Sequence, residues 1–123
     1  MYDTHFTTGM QKLKKIDGAA GVKVIESLND IAPDLGRYIV EFAFGQIYAR
    51  PGLSLQEREL LTLASLLTSG GCEAQLRVHI RAALHVGVKK EKILEALLHC
   101  IPYTGFPKVL NAVTVARQVF TDE

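Results

Sequence analysis

The chain of 123 residues has only two cysteines and no surplus of either charge: 14 Lys and Arg stand against 13 Asp and Glu, a formal net charge of +1. Each shortage excludes something. Cys72 and Cys100 are too few for the disulfide framework of a small secreted protein, and they suit a reducing cytoplasm. Balanced charge argues against the concentrated basic patch that phosphate recognition needs, so no nucleic-acid partner is expected. Lys12, Lys14 and Lys15 form the one basic cluster and read as a solvated face. No run approaches the roughly 18 consecutive apolar residues of a spanning helix, so no membrane partner is expected either. The opening Met1-Tyr2-Asp3-Thr4-His5-Phe6 lacks the basic and then apolar regions of a secretory leader. Strand signals are nearly absent, with no sustained alternation and no Asn-Gly hairpin. Together these absences point to a cytoplasmic location.

What is present is apolar and helical. Hydrophobic residues make up 48% of the chain. At this length one domain, residues 1–123, can bury roughly two-thirds of its unfolded surface without disulfides or metal. Glycine and proline punctuate a series of helices. Asp3 to Ile16 reads as the first, broken at Asp17-Gly18, and Ala19 to Leu28 as a short second. Pro33 to Ala49 carries apolar residues at helical spacing with proline in its first turn. Ser54-Leu55-Gln56-Glu57 is a capping-box pattern opening a helix to about Thr68, apolar nearly all round and therefore expected to be central. Further helices run from Cys72 to Gly87, from Lys89 to His99 and from Pro107 to about Phe120. The expected fold is all-α, a compact bundle of about six helices. Leucine-rich helices and low net charge leave apolar surface for subunit contacts.

One of these helices carries an anomaly. Cys72, Gln75, Leu76, Ala83 and Val86 all project within about a quarter-turn of His79. Polar groups embedded among Leu, Ala and Val need a partner or a task. A core histidine satisfied by a hydrogen bond is the simple reading; a proton-transfer residue is the functional one, since imidazole titrates near neutrality. Glu59 is its best candidate partner. It lies among Leu55, Leu63 and Leu66, where a carboxylate is costly unless paired; a pairing with Arg58 or a solvated edge of the helix would also explain it. No His-x-x-x-His pair with acidic support occurs, so no metal is expected.

Four segments then carry a resemblance. Arg58-Glu59-Leu60-Leu61-Thr62-Leu63-Ala64, Gln75-Leu76-Arg77-Val78-His79 with Gly87 beyond it, Glu91-Lys92-Ile93-Leu94-Glu95, and Tyr103-Thr104-Gly105-Phe106-Pro107 running on to Asn111-Ala112 resemble the carboxymuconolactone decarboxylase family. That family belongs to the alkylhydroperoxidase-D-like superfamily, and the match runs from about Asp34 to Phe120. The resemblance implies a carbon–carbon lyase that removes CO₂ from a small carboxylated lactone without a cofactor, with His79 moving the proton. It implies Gln75 as a neutral hydrogen-bond donor to the substrate, and Tyr103 and Gly105 as a pocket wall; a tight turn between helices is the other reading of that pair. It also implies a homo-oligomer, commonly a hexamer arranged as a trimer of dimers.

Two other readings stay open. The superfamily's peroxidase branch uses Cys-x-x-Cys with a histidine four residues on and a glutamate relay. Here Cys72 holds the first cysteine position and Gln75 the second, so peroxiredoxin activity would need Cys100 or another subunit's thiol as the partner. A non-catalytic oligomeric binding protein is the third reading. For the decarboxylase, cations to hold substrate carboxylates would have to come from Arg37, Arg50, Arg58 or a neighbouring subunit, because no arginine shares the His79 face.

Overall fold

A computed structural model describes residues 4–122, and among them there is helix and turn but no strand. The chain is all-α. Its contacts divide it into two units, one up to Leu55 and the other from Gln56 onward.

In the first unit, α1 (Thr4–Glu26) spans both helices expected there; Asp3 lies outside the described residues. The break at Asp17-Gly18 survives as a kink, with Gly18 at φ 61° and ψ −144°, a conformation glycine reaches without steric cost. The next helix, α2, starts at Pro33, with proline in its first turn as expected. It is α-helical only over Pro33–Tyr38, then widens into a π-helix over Ile39–Ile47. The i→i−5 pattern carries one residue further, the Tyr48 N–H donating to the Ala43 carbonyl at 2.8 Å.

The widened turn has a geometric consequence. A π turn pairs residues five apart, which sets the Val40 carbonyl beside Gly45. On α1, His5 and Gly9 are four apart and share one face. These two edges meet backbone to backbone. A Cβ on Gly9 would lie 2.0 Å from the Val40 carbonyl oxygen, and a Cβ on Gly45 would lie 2.2 Å from that of His5. Only glycine admits this contact. Phe44 and Tyr48 stack beside it, ring centroids 5.0 Å apart.

The second unit runs through α3 (Leu55–Ser69), α4 (Glu73–His85), α5 (Lys90–His99), α6 (Ile101–Thr104) and α7 (Phe106–Asp122). Its core is drawn from every long helix: Leu63 and Leu67, Leu76, Ile80 and Ala83, Ile93 and Leu97, and Val109, Ala112, Ala116 and Val119. Each set repeats at three or four residues, so each helix turns one stripe inward. The helix α3 is less enclosed than its composition suggests. It buries the row Glu59, Leu63, Leu67 and leaves Leu61 58% exposed. Polar ties fix the helix ends: Gln56 Nε2 donates to the Val86 carbonyl at 2.7 Å, and Lys108 Nζ to that of Thr68 at 2.8 Å.

Candidate active site

Glu59 heads the inward row of α3, so the period that buries Leu63 and Leu67 buries a carboxylate with them. It has no exposed surface and is the one fully buried charged residue among those described. On α4, His79 neighbours the buried Ile80 at the edge of the inward stripe, its side chain 22% exposed. The Gln56–Val86 and Glu59–His79 contacts run α3 and α4 antiparallel and bring the two side chains together. His79 Nδ1 lies 2.9 Å from Glu59 Oε1.

The pair is only half satisfied. Glu59 Oε2 is buried and has no hydrogen-bond partner among the described residues. A carboxylate acceptor requires the proton on Nδ1, which leaves Nε2 as the nitrogen open to a bound molecule. Nε2 itself makes no hydrogen bond within the described chain. Taking a carboxylate out of water costs several kcal/mol, in order of magnitude, unless charge and hydrogen bonds compensate it. One imidazole and one orphaned oxygen are meagre compensation, so packing stability does not account for an acid at this position.

The remaining sequence candidates lie apart from this pair in their bonding. Cys72 stands just ahead of α4 as its N-cap, and its thiol donates to the Gly70 carbonyl at 3.5 Å, not to His79. Cys100 is buried and donates to the Ala96 carbonyl at 3.4 Å; burial pushes its thiol pKa up. Both cysteines are free thiols. Gln75 is exposed and its side chain makes no hydrogen bond among the described residues. Tyr103 is 77% exposed with its ring 5.8 Å from that of His99. Gly105 sits at φ 91° between α6 and α7, its N–H donating to the Ile101 carbonyl at 3.0 Å. Of the cations considered, Arg37 is held by Asp34 and Glu41, each at 3.5 Å, while Arg58, beside Glu59, is partly buried.

Sequence reading does not single out Gln56, although its bond to Val86 clamps the ends of the two helices that carry the pair. The only signal for it is its place three residues before Glu59, on the same side of the helix. No group of three His, Cys, Asp or Glu side chains that could hold a metal ion occurs among the described residues. No helix among them is long and apolar enough to cross a membrane.

Comparison with known proteins shows the family. The model of the carboxymuconolactone decarboxylase family matches residues 33–118. The chain is 36% identical over 121 residues to a 4-carboxymuconolactone decarboxylase of Acinetobacter baylyi, covering 98% of this chain and 90% of that protein. It is 37% identical over 84 residues to a nitrosuccinic acid decarboxylase of Metarhizium robertsii, covering 68% of this chain and 58% of that protein. A third relative, peroxisomal protein 2 of Saccharomyces cerevisiae, is 32% identical over 92 residues, which is 74% of this chain but 32% of the yeast protein.

Proposed function

The chain belongs to the carboxymuconolactone decarboxylase family, and on that premise we propose that it decarboxylates a small carboxylated lactone or related acid without a cofactor, with His79 moving the proton. The observation that carries this is the 2.9 Å contact between His79 Nδ1 and the fully buried Glu59. Two relatives bear the names of decarboxylases, acting on a carboxymuconolactone and on nitrosuccinic acid. Both names describe acids in which a carbonyl or nitro group can take up the electron pair that departing CO₂ leaves behind.

The steps balance without a further reactant. The bond from carbon to the carboxylate breaks, CO₂ departs, and its bonding pair stays on carbon, delocalised toward the electron-withdrawing group. Imidazolium Nε2–H then protonates that carbon, forming the C–H bond and leaving neutral imidazole, which takes one proton back from solvent, the single proton consumed for each CO₂ released. Glu59 contributes without touching substrate. Its carboxylate holds Nδ1–H, aims Nε2 outward, and stabilises the positive charge the ring carries before transfer. Gln75, Tyr103 and Gly105 serve as the substrate-facing residues in this reading, and Cys72 as a bystander thiol. The protein acts as a homo-oligomer, a hexamer built as a trimer of dimers, for which exposed Leu61, Leu98, Phe106 and Leu110 supply apolar surface. Light scattering at micromolar concentration tests that assembly, and a monomeric mass rejects it.

The deciding assay follows γ-carboxymuconolactone spectrophotometrically with the wild-type protein and with His79→Gln and Glu59→Gln at matched helical content. His79→Gln is expected to lose about 10²–10⁴-fold in turnover, the usual weight of a general acid. Glu59→Gln should lose less and shift the pH profile, because it acts through the imidazole. If the wild type turns over neither this lactone nor a nitro acid, the decarboxylase reading fails.

A further inference from the structure

On the side of α4 away from His79, the sequence sets out an ion pair that the structure does not form. Arg77 precedes His79 by two residues and so lies about 200° around the helix from it. Glu73 and Arg77 are spaced i, i+4 with the acid first, the order that favours pairing on a helix surface. Arg77 Nη2 instead donates across to Gln118 Oε1 on α7. Neither Glu73 nor Arg77 has an ionic partner among the described residues. One neutral amide meets one of the guanidinium's five donors and none of its charge.

Between these residues lies an open cleft of about 470 Å³, lined among others by Glu73, Arg77, Asn111, Thr114, Val115 and Gln118. That volume is in the range of roughly 300–1,000 Å³ common to small-molecule sites. Val115 gives it an apolar, buried floor. The Thr114 hydroxyl donates to the Leu110 carbonyl at 3.0 Å and so offers the cleft only lone pairs. Asn111 and Gln118 bring amide donors. The cleft therefore presents an acid and a guanidinium four residues apart, roughly 6 Å along the axis, each lacking a counter-charge.

We propose that this cleft binds a small zwitterion, an ω-amino acid whose carboxylate takes the Arg77 guanidinium side-on and whose ammonium takes Glu73. Arginine's planar fork suits a carboxylate. A dicarboxylate would bring its second charge against Glu73, which sets this site apart from the acids expected at His79. The site is independent of the decarboxylase reading.

The test is titration of 4-aminobutanoate into the ¹⁵N-labelled full chain, with butanoate and butylamine as ligands that each lack one charge. Saturable shifts on the first half of α4 and along α7 are expected, with both controls weaker by about tenfold or more. Arg77→Gln should abolish the response, and Glu73→Gln should reduce 4-aminobutanoate to the level of butanoate. His79→Gln should bind as the wild type does, which separates failure here from failure of the catalytic reading. Shifts that grow linearly without saturating, equal binding of butanoate, or a response surviving Arg77→Gln each overturn the proposal.

Discussion

The two units of this chain use small and charged residues for opposite ends. Up to Leu55, glycine lets two helices touch through their backbones, while Ile31, Tyr38 and Phe42 stay 81%, 59% and 58% exposed. From Gln56 onward, branched and small apolar side chains close a continuous core, and that core admits one carboxylate. The first arrangement is steric and tolerates no added atom. The second is electrostatic and tolerates no lost partner. Steric fit explains why a residue is where it is; a half-satisfied buried acid asks for a reason other than stability.

The sharpest way to break this contrast is at the buried pair. His79→Leu strands the Glu59 carboxylate and should cost about 3–5 kcal/mol, the usual penalty for orphaning one member of a buried pair. Adding Glu59→Leu to it should recover that loss, because two apolar groups pack where two half-satisfied ones stood. Urea unfolding of the single and double variants decides it. A double variant no more stable than His79→Leu would mean that the pair holds the fold together.

Next in size is the glycine contact. Gly9→Val or Gly45→Val places a Cβ 2.0 Å or 2.2 Å from a carbonyl oxygen and should cost about 3 kcal/mol, at the upper end for overpacking. Ser27→Ala, on an exposed turn of the same unit, serves as the control. Far-UV circular dichroism and denaturant midpoints read the effect, and a midpoint matching the control would show that the helices separate freely.

The smallest effect concerns Cys100. Burial raises its thiol pKa above the ordinary 9.0, so the folded chain holds this proton more tightly than the unfolded one. Its contribution to stability is full below the unfolded value and is lost as pH rises through the folded one. Stability should therefore fall on the alkaline side of pH 9.0, and Cys100→Ala should flatten that fall. A wild-type slope unchanged by the substitution would assign it to other groups. In the same samples Cys72, which is partly exposed, should react with a thiol reagent before Cys100 does.

Much of this was legible before folding. The break at Asp17-Gly18 and the helix start at Pro33 follow from residues whose backbone preferences are local. The conflict at Glu59, a carboxylate spaced among leucines, is visible as periodicity alone. The π-helix is not, since Ile39 to Ile47 reads as ordinary α spacing and the extra residue per turn emerges only where Val40 and Gly45 meet α1. Nor is the exposure of Gln75, which shares an angle with His79 on a helical wheel but lies a turn nearer the open end of α4.

By itself the sequence determined the helical class, the places where helices stop, the family, and the suspicion attached to His79 and Glu59. Those rest on local dihedral preference and on a period of 3.6 residues, both of which act between near neighbours. Only the tertiary structure decided which oxygen faces which nitrogen, that Oε2 of Glu59 is left over, and that Arg77 turns from Glu73 to Gln118. These choices are made between residues 20 and 41 positions apart. There the winning partner depends on how helices dock, and no local rule ranks the alternatives.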